Sequence, residues 1–165
     1  MFRLLLTDVD GVLTDGSLSF SAEGVETKTF HVRDGLGVRL WQRAGGRVGI
    51  VTGRASAVVE RRAEELDIAI VKQAVKEKLA IVEDIAAAEG LSLAEIAYVG
   101  DDLPDLPVIR AVGFGAAVAD AAPELCEAAD YVTTLPGGRG AFREVVEKLL
   151  KDAGQWETAT GPLHG

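Results

Sequence analysis

The chain has 165 residues, the length of one ordinary domain with a sizeable core and too little for two. Apolar residues make up 48% and charged residues 26%, the balance of a soluble globular protein, and no apolar run reaches the roughly 20 residues that cross a bilayer. A formal net charge of −9 argues against nucleic acid, whose phosphate backbone demands a basic face, and without a spanning run no membrane partner is expected either. The lone cysteine, Cys126, rules out an intramolecular disulfide, and the first residues lack the basic start and apolar centre of a signal peptide, which leaves the cytoplasm as the expected compartment.

Residues 3–9 predict a fully buried strand, a short apolar run halted by acids and glycine in "LLLTDVDG". Next, "SLSFSAEGVETKTFHV" alternates apolar and polar residues around Ala22-Glu23-Gly24 and predicts a β-hairpin over about 17–32. Asp34 is placed to cap a helix through "LGVRLWQRA", ended by Gly45 and Gly46. "RVGIVTG" predicts a second buried strand, followed by the helical "SAVVERRAEEL", the short run "IAIV", a helix over 77–89 and the strand "IAYVG". "LPDLPVIRA" reads as a short helix, "VGFGAAV" as a strand, "APELCEAA" as a helix, "DYVTT" as an edge strand and "AFREVVEKLLKD" as a last amphipathic helix. "AGQWETATGPLHG" has no periodicity and reads as a flexible tail, so one domain over 1–151 and a tail over 152–165 are expected. Strand and helix alternate almost throughout, which predicts an α/β fold: a doubly wound, Rossmann-like parallel sheet between helices, with the hairpin inserted after the first strand.

In such a sheet the chemistry gathers beyond the carboxyl ends of the strands. Asp8 and Asp10 end the first strand, Thr52 and Gly53 the second, Asp101 and Asp102 the fourth, so four carboxylates converge on one edge. Like charges crowded in this way repel unless a cation joins them. A calcium loop does not fit, because counting from Asp8 its sixth and twelfth positions hold Leu13 and Ser19 in place of glycine and glutamate. "GDDLPD", from Gly100 to Asp105, read alone is equally a loop that caps a short helix. With Asp8 and Asp10 on the same edge, a hard divalent cation accounts for both groups. Magnesium, which takes a few carboxylates plus water and phosphate oxygens, suits them. In "VTGR", Thr52 offers a hydroxyl and Gly53 a backbone N–H before a helix, a geometry for an anion or for an ordinary cap. Lys78 opens a helix against its dipole, with Lys76 as an adjacent competitor, and position alone does not separate it from a solvated lysine. Arg33, Arg54 and Arg139 are candidates for a substrate carboxylate, each against the reading of a structural or solvated arginine.

In order along the chain, "DVDGVLTD", "VTGR", a lysine opening the next-but-one helix and "GDDLPD" resemble the four motifs of the haloacid dehalogenase-like phosphatases. The finer pattern, with the hairpin, "VRDGLGV", "GDDLPDLPV" and "GGRGAFREV", resembles the capless 3-deoxy-D-manno-octulosonate 8-phosphate phosphatase family over nearly the whole chain. The resemblance implies a magnesium-dependent hydrolase of a sugar-acid phosphate that works through an aspartyl-phosphate. It makes Asp8 the nucleophile and Asp10 the general acid and base. It places Mg2+ on Asp8, the backbone carbonyl of Asp10 and Asp101, with Asp102 in support, and phosphate or substrate on Thr52, Gly53, Arg54 and Lys78. Attraction of an anionic substrate to an acidic chain then has to be local. Family relatives often insert a cap domain, but here the gap from Asp15 to Arg47 is used up by the hairpin and one helix, and that from Arg54 to Lys76 by one helix and a short run. No cap is expected, and the site should be open on the monomer. The resembling enzymes are tetramers, so a homotetramer is expected, with the C-terminal segment, anchored by Trp156 or Leu163, reaching a neighbour's site. Two other readings stand beside this one: a phosphatase for a nine-carbon sialic-type acid 9-phosphate, and a non-catalytic regulatory or assembly subunit on the same scaffold.

Overall fold

The computed structural model describes residues 2–161. Its centre is β1, Leu4–Thr7, whose four side chains are all buried. Alternation along this strand divides the core in two. Leu5 packs on one face with Val48, Ile50, Ala97 and Val99, while Leu4 and Leu6 pack on the other with Val51, Ile96 and Tyr98. Each leucine so enclosed contributes about 2 kcal/mol of hydrophobic stabilisation.

Around β1 lie β4 (Arg47–Val51), β5 (Ile70–Lys72), β6 (Ile96–Gly100), β7 (Phe114–Ala117) and β8 (Tyr131–Val132). They form one six-stranded sheet in the order β5-β4-β1-β6-β7-β8, parallel throughout. The helices α1 (Val32–Arg43), α2 (Ala57–Glu65), α6 (Ala141–Asp152) and α7 (Trp156–Thr160) contribute to the core on the Leu5 face. The opposite face is covered by α3 (Lys78–Glu89), α4 (Leu106–Ala111) and α5 (Pro123–Ala128). The expected doubly wound sheet is therefore present, and the described residues contain no separate cap domain. The hairpin also forms, from β2 (Ser19–Phe20) and β3 (Glu26–Thr27) paired antiparallel about a turn in which Gly24 N–H donates to Ser21 O at 3.0 Å.

Two expectations are corrected. Asp34 does not cap α1: the helix starts at Val32, and its N-cap is His31, whose Nδ1 accepts from the amide of Arg33. Asp34 is buried in the first turn and its Oδ1 accepts from the amide of Arg143 at 3.0 Å. That amide belongs to the first turn of α6, where no intrahelical acceptor exists and the N-cap Gly140 has no side chain to supply one. Nor is the chain from 152 without regular structure. Residues 156–160 form α7 after a break at Gly154, whose φ of 66° is left-handed. Ala159 is fully buried and Trp156 packs on the core between the cations of Arg143 and Lys151, 5.5 and 4.9 Å from its ring. Packing makes this helix, since five residues are too few to hold one by propensity. Leu163 lies outside the described residues.

Candidate active site

Beyond the carboxyl ends of β1, β4 and β6 the chain encloses an open cleft. Asp8, Asp10, Thr52, Gly53 and Arg54 line it, as do Lys78, Asp101 and Asp102, so the residues singled out from the four motifs meet there. The aspartates, Thr52, Gly53 and Arg54 lie just past their strands rather than within them, and Lys78 opens α3. β1 ends at Thr7, and after Asp8 N–H donates to Val99 O at 3.0 Å the chain turns so tightly that the amides of Val12, Leu13 and Thr14 all reach Val9 O. Gly11 sits in this turn with φ of 93°, and any side chain there would run into the carboxylate of Asp101. The two acidic loops therefore touch only because residue 11 is glycine.

Asp8 is held at both oxygens. Its Oδ1 accepts from Val9 N–H at 2.7 Å and its Oδ2 from Lys78 Nζ at 2.8 Å. Lys78 is buried and donates also to Asp105 Oδ1 at 2.6 Å, whereas Lys76, also at the cleft, is exposed. Burial opposes the Lys78 ammonium, but the carboxylates of Asp8 and Asp105 outweigh it and its pKa rises. Burial raises the Asp8 pKa in spite of Lys78.

Asp8, Asp101 and Asp105 each place an oxygen within 4.8 Å of the others. Asp105, however, is fully engaged. Its Oδ1 also accepts from Tyr98 Oη at 2.6 Å, and its Oδ2 from the amides of Asp101 and Asp102 at 3.0 and 3.3 Å. Burial and the Asp105 charge push the Tyr98 phenol well above its usual range, so it stays a donor. Asp105 is thus a strut that holds Lys78 and the loop, and Asp8 and Asp101 are the acids left to face a cation. Burial, then the charges of Asp8 and Asp105, push the Asp101 carboxyl up to about 8. Such acids resist ionising together, and a hard divalent cation reverses that. An all-oxygen donor set of this kind fits magnesium. Asp102 is exposed and its Oδ1 accepts from Leu103 N–H at 2.8 Å, so the capping role read from "GDDLPD" is real and coexists with the site.

Thr52 is buried with both backbone groups used, its N–H by Lys72 O and its C=O by Val75 N–H. Its Oγ1 is buried without a partner among the described residues. A hydroxyl left so is unfavourable by about 1–3 kcal/mol, and an anionic oxygen entering the cleft would satisfy it. Of the three candidate arginines, Arg54 lines the cleft; Arg33 lines a separate hollow with Thr134, Arg143 and Glu144, and Arg139 acts on the exposed Asp15.

Sequence reading gave no role to Glu26 and Lys28. Lys28 Nζ is bonded to Asp10 Oδ1 and lies 3.4 Å from Glu26, which also accepts from Arg54 Nη2 at 3.1 Å. The signal available was the alternation in "VETKTF", which turns Glu26, Lys28 and Phe30 to one side of the hairpin. Phe30 packs on the core.

A family described as haloacid dehalogenase-like hydrolase matches residues 68–137. The 3-deoxy-D-manno-octulosonate 8-phosphate phosphatase KdsC of Escherichia coli K12 is 45% identical over 159 residues, which span 96% of this chain and 85% of the relative. The chain belongs to this phosphatase family. The Yersinia pestis relative of the same name is 43% identical over the same share of both chains. Among solved structures, the phosphatase of Moraxella catarrhalis, in complex with magnesium, phosphate and KDO, superposes with a TM-score of 0.93 at 42% identity, over 94% of this chain and 90% of that one. The cobalt-bound phosphatase of Haemophilus influenzae gives 0.91 at 40% identity, over 94% and 91%.

Proposed function

We propose that this protein is a magnesium-dependent phosphatase that hydrolyses 3-deoxy-D-manno-octulosonate 8-phosphate. The observation that carries the reading is the convergence of Asp8, Lys78 and the unpartnered hydroxyl of Thr52 on one cleft, in a chain so similar to KdsC over its length. In this reading a carboxylate oxygen of Asp8 attacks phosphorus as the bond to the sugar oxygen breaks, giving an aspartyl-phosphate. Asp10 gives its proton to the departing sugar oxygen, then takes one from the water that opens the aspartyl-phosphate. Lys78, Thr52 Oγ1 and the N–H of Gly53 hold the phosphoryl oxygens, and Arg54 meets the sugar acid's carboxylate at the rim. Asp8, the backbone carbonyl of Asp10 and Asp101 would hold the magnesium ion, with Asp102 in support. When bound, the ion supplies positive charge where two anions approach.

Residues 1–151, with α7 packed on their core, would act as one capless domain, in the cytoplasm, as part of a homotetramer. No helix among the described residues is long and apolar enough to cross a membrane. Phosphate release from the eight-carbon 8-phosphate, a nine-carbon sialic-type 9-phosphate and p-nitrophenyl phosphate, with magnesium and with EDTA, tests the reading. The eight-carbon substrate should lead in kcat/KM by about tenfold or more, and EDTA should abolish all three. A lead for the nine-carbon substrate reassigns the specificity. Absence of magnesium-dependent hydrolysis overturns the activity in favour of a non-catalytic subunit.

A further inference from the structure

The hairpin carries a lysine whose side chain is buried and which its own folding does not require. Val25, Thr27 and Thr29 are exposed, while Glu26, Lys28 and Phe30 turn inward. Phe30 already anchors the base of the hairpin on the core. Lys28 nevertheless keeps only 1% of its side chain exposed on a segment otherwise at the surface. Burying an ammonium is unfavourable unless charge and hydrogen bonds oppose it. Here Asp10 Oδ1 accepts directly from Lys28 Nζ, with Glu26 3.4 Å away as a second anion. Glu26 in turn anchors Arg54, whose Nε faces Asp10 Oδ2 at 3.9 Å, beyond hydrogen-bonding reach. The two oxygens of Asp10 are therefore unequal: one is gripped, the other is left for a different partner.

We propose that Lys28 is a positioning residue for proton transfer. By holding Oδ1 it fixes the Asp10 carboxylate so that Oδ2 alone delivers and recovers the proton, an inference that rests on the phosphatase reading above. In the first half-reaction the Oδ2–H bond breaks and its proton goes to the sugar oxygen as that oxygen leaves phosphorus. In the second, water's proton goes to Oδ2 as its oxygen bonds to phosphorus and the bond from Asp8 to phosphorus breaks. Lys28 gives up no proton in either step. Without it the carboxylate is free to rotate, and a misplacement of about 1 Å at a reacting group lowers the rate on the order of a hundredfold.

The test is a double-mutant cycle on the eight-carbon sugar phosphate with magnesium, using Lys28→Gln, Asp10→Asn and both together. Lys28→Gln should lower kcat by about tenfold to a hundredfold with KM within about threefold, and Lys28→Arg should recover part of the loss. In the Asp10→Asn background the same change should matter less than about twofold, because the group it positions no longer transfers a proton. Lys28→Met, measured in parallel with thermal melting of each variant, guards against a hairpin that merely loosens with glutamine. An equal loss in both backgrounds, or full kcat in Lys28→Gln, overturns the assignment of Lys28 alone. A wild-type chain with no magnesium-dependent turnover defeats the phosphatase reading first.

Discussion

The carboxylates around β1 and β6 differ in their neighbours, and the neighbours set what each can do. Asp8 faces Lys78 with one oxygen, so Asp8→Asn should keep the fold and bind phosphate while kcat falls on the order of a thousandfold or more, because an amide cannot form the acyl-phosphate. A fluoride phosphate mimic should load wild type only, and substantial turnover by the variant would reject Asp8 as nucleophile. Asp101 reads out through stability. Its ordinary pKa of 3.8 is pushed up to about 8 by burial, then by Asp8 and Asp105. A folded-state pKa above the unfolded one means that protons favour the folded state. Without metal, that stability is complete below about pH 4 and is lost as pH rises to about 8, on the order of a few kcal/mol. Asp101→Asn should flatten this slope in EDTA, raise the metal-free melting temperature near pH 8 and weaken protection by magnesium. A wild type whose melting in EDTA is level across that range would contradict it. The acids were legible in the sequence because residue type and strand end suffice to place them. Choosing Lys78 over Lys76 needed the motif resemblance, since position alone does not tell which lysine the start of α3 buries, and Lys28 went unread because it reaches Asp10 across 18 residues of chain.

At the scale of elements, α7 is a short helix that exists because α1 and α6 receive it. Trp156→Ala removes the ring between Arg143 and Lys151 and should destabilise by about 1–3 kcal/mol, read in denaturant unfolding, with kcat of the folded enzyme unchanged. Ending the chain at Ala153 also removes the fully buried Ala159 and should destabilise further, so a test of the segment beyond the described residues has to cut after Gly161 instead. A variant as stable as wild type would mean that α7 is a passive terminus. The buried strands were readable from sequence as apolar runs bounded by acids and glycine, whereas α7 is too short to show a period. The carboxylate of Asp34 looked like a cap for its own helix, yet it serves α6 across the fold, a contact that local sequence does not encode.

For the whole molecule, the hairpin presents Leu18, Phe20 and Val25 at 51%, 56% and 61% exposure, with Val32 at 81% beside it. Exposed apolar residues on short strands of this kind tend to be covered, so light scattering at micromolar concentration should give a tetramer, and Phe20→Glu should shift it to smaller species. A wild-type monomer would count against the assembly. The sheet order has a further consequence. β1 lies between β4 and β6, each of which has another strand outside it, while the hairpin has two residues to a strand. Amides of Leu4–Thr7 should therefore exchange with deuterium only on global opening, and those of the hairpin much earlier. Warming would then loosen the hold on Asp10 before it displaces Asp8. Aryl phosphates, whose leaving groups need little protonation, should still be turned over at temperatures where hydrolysis of the sugar phosphate has already begun to fall.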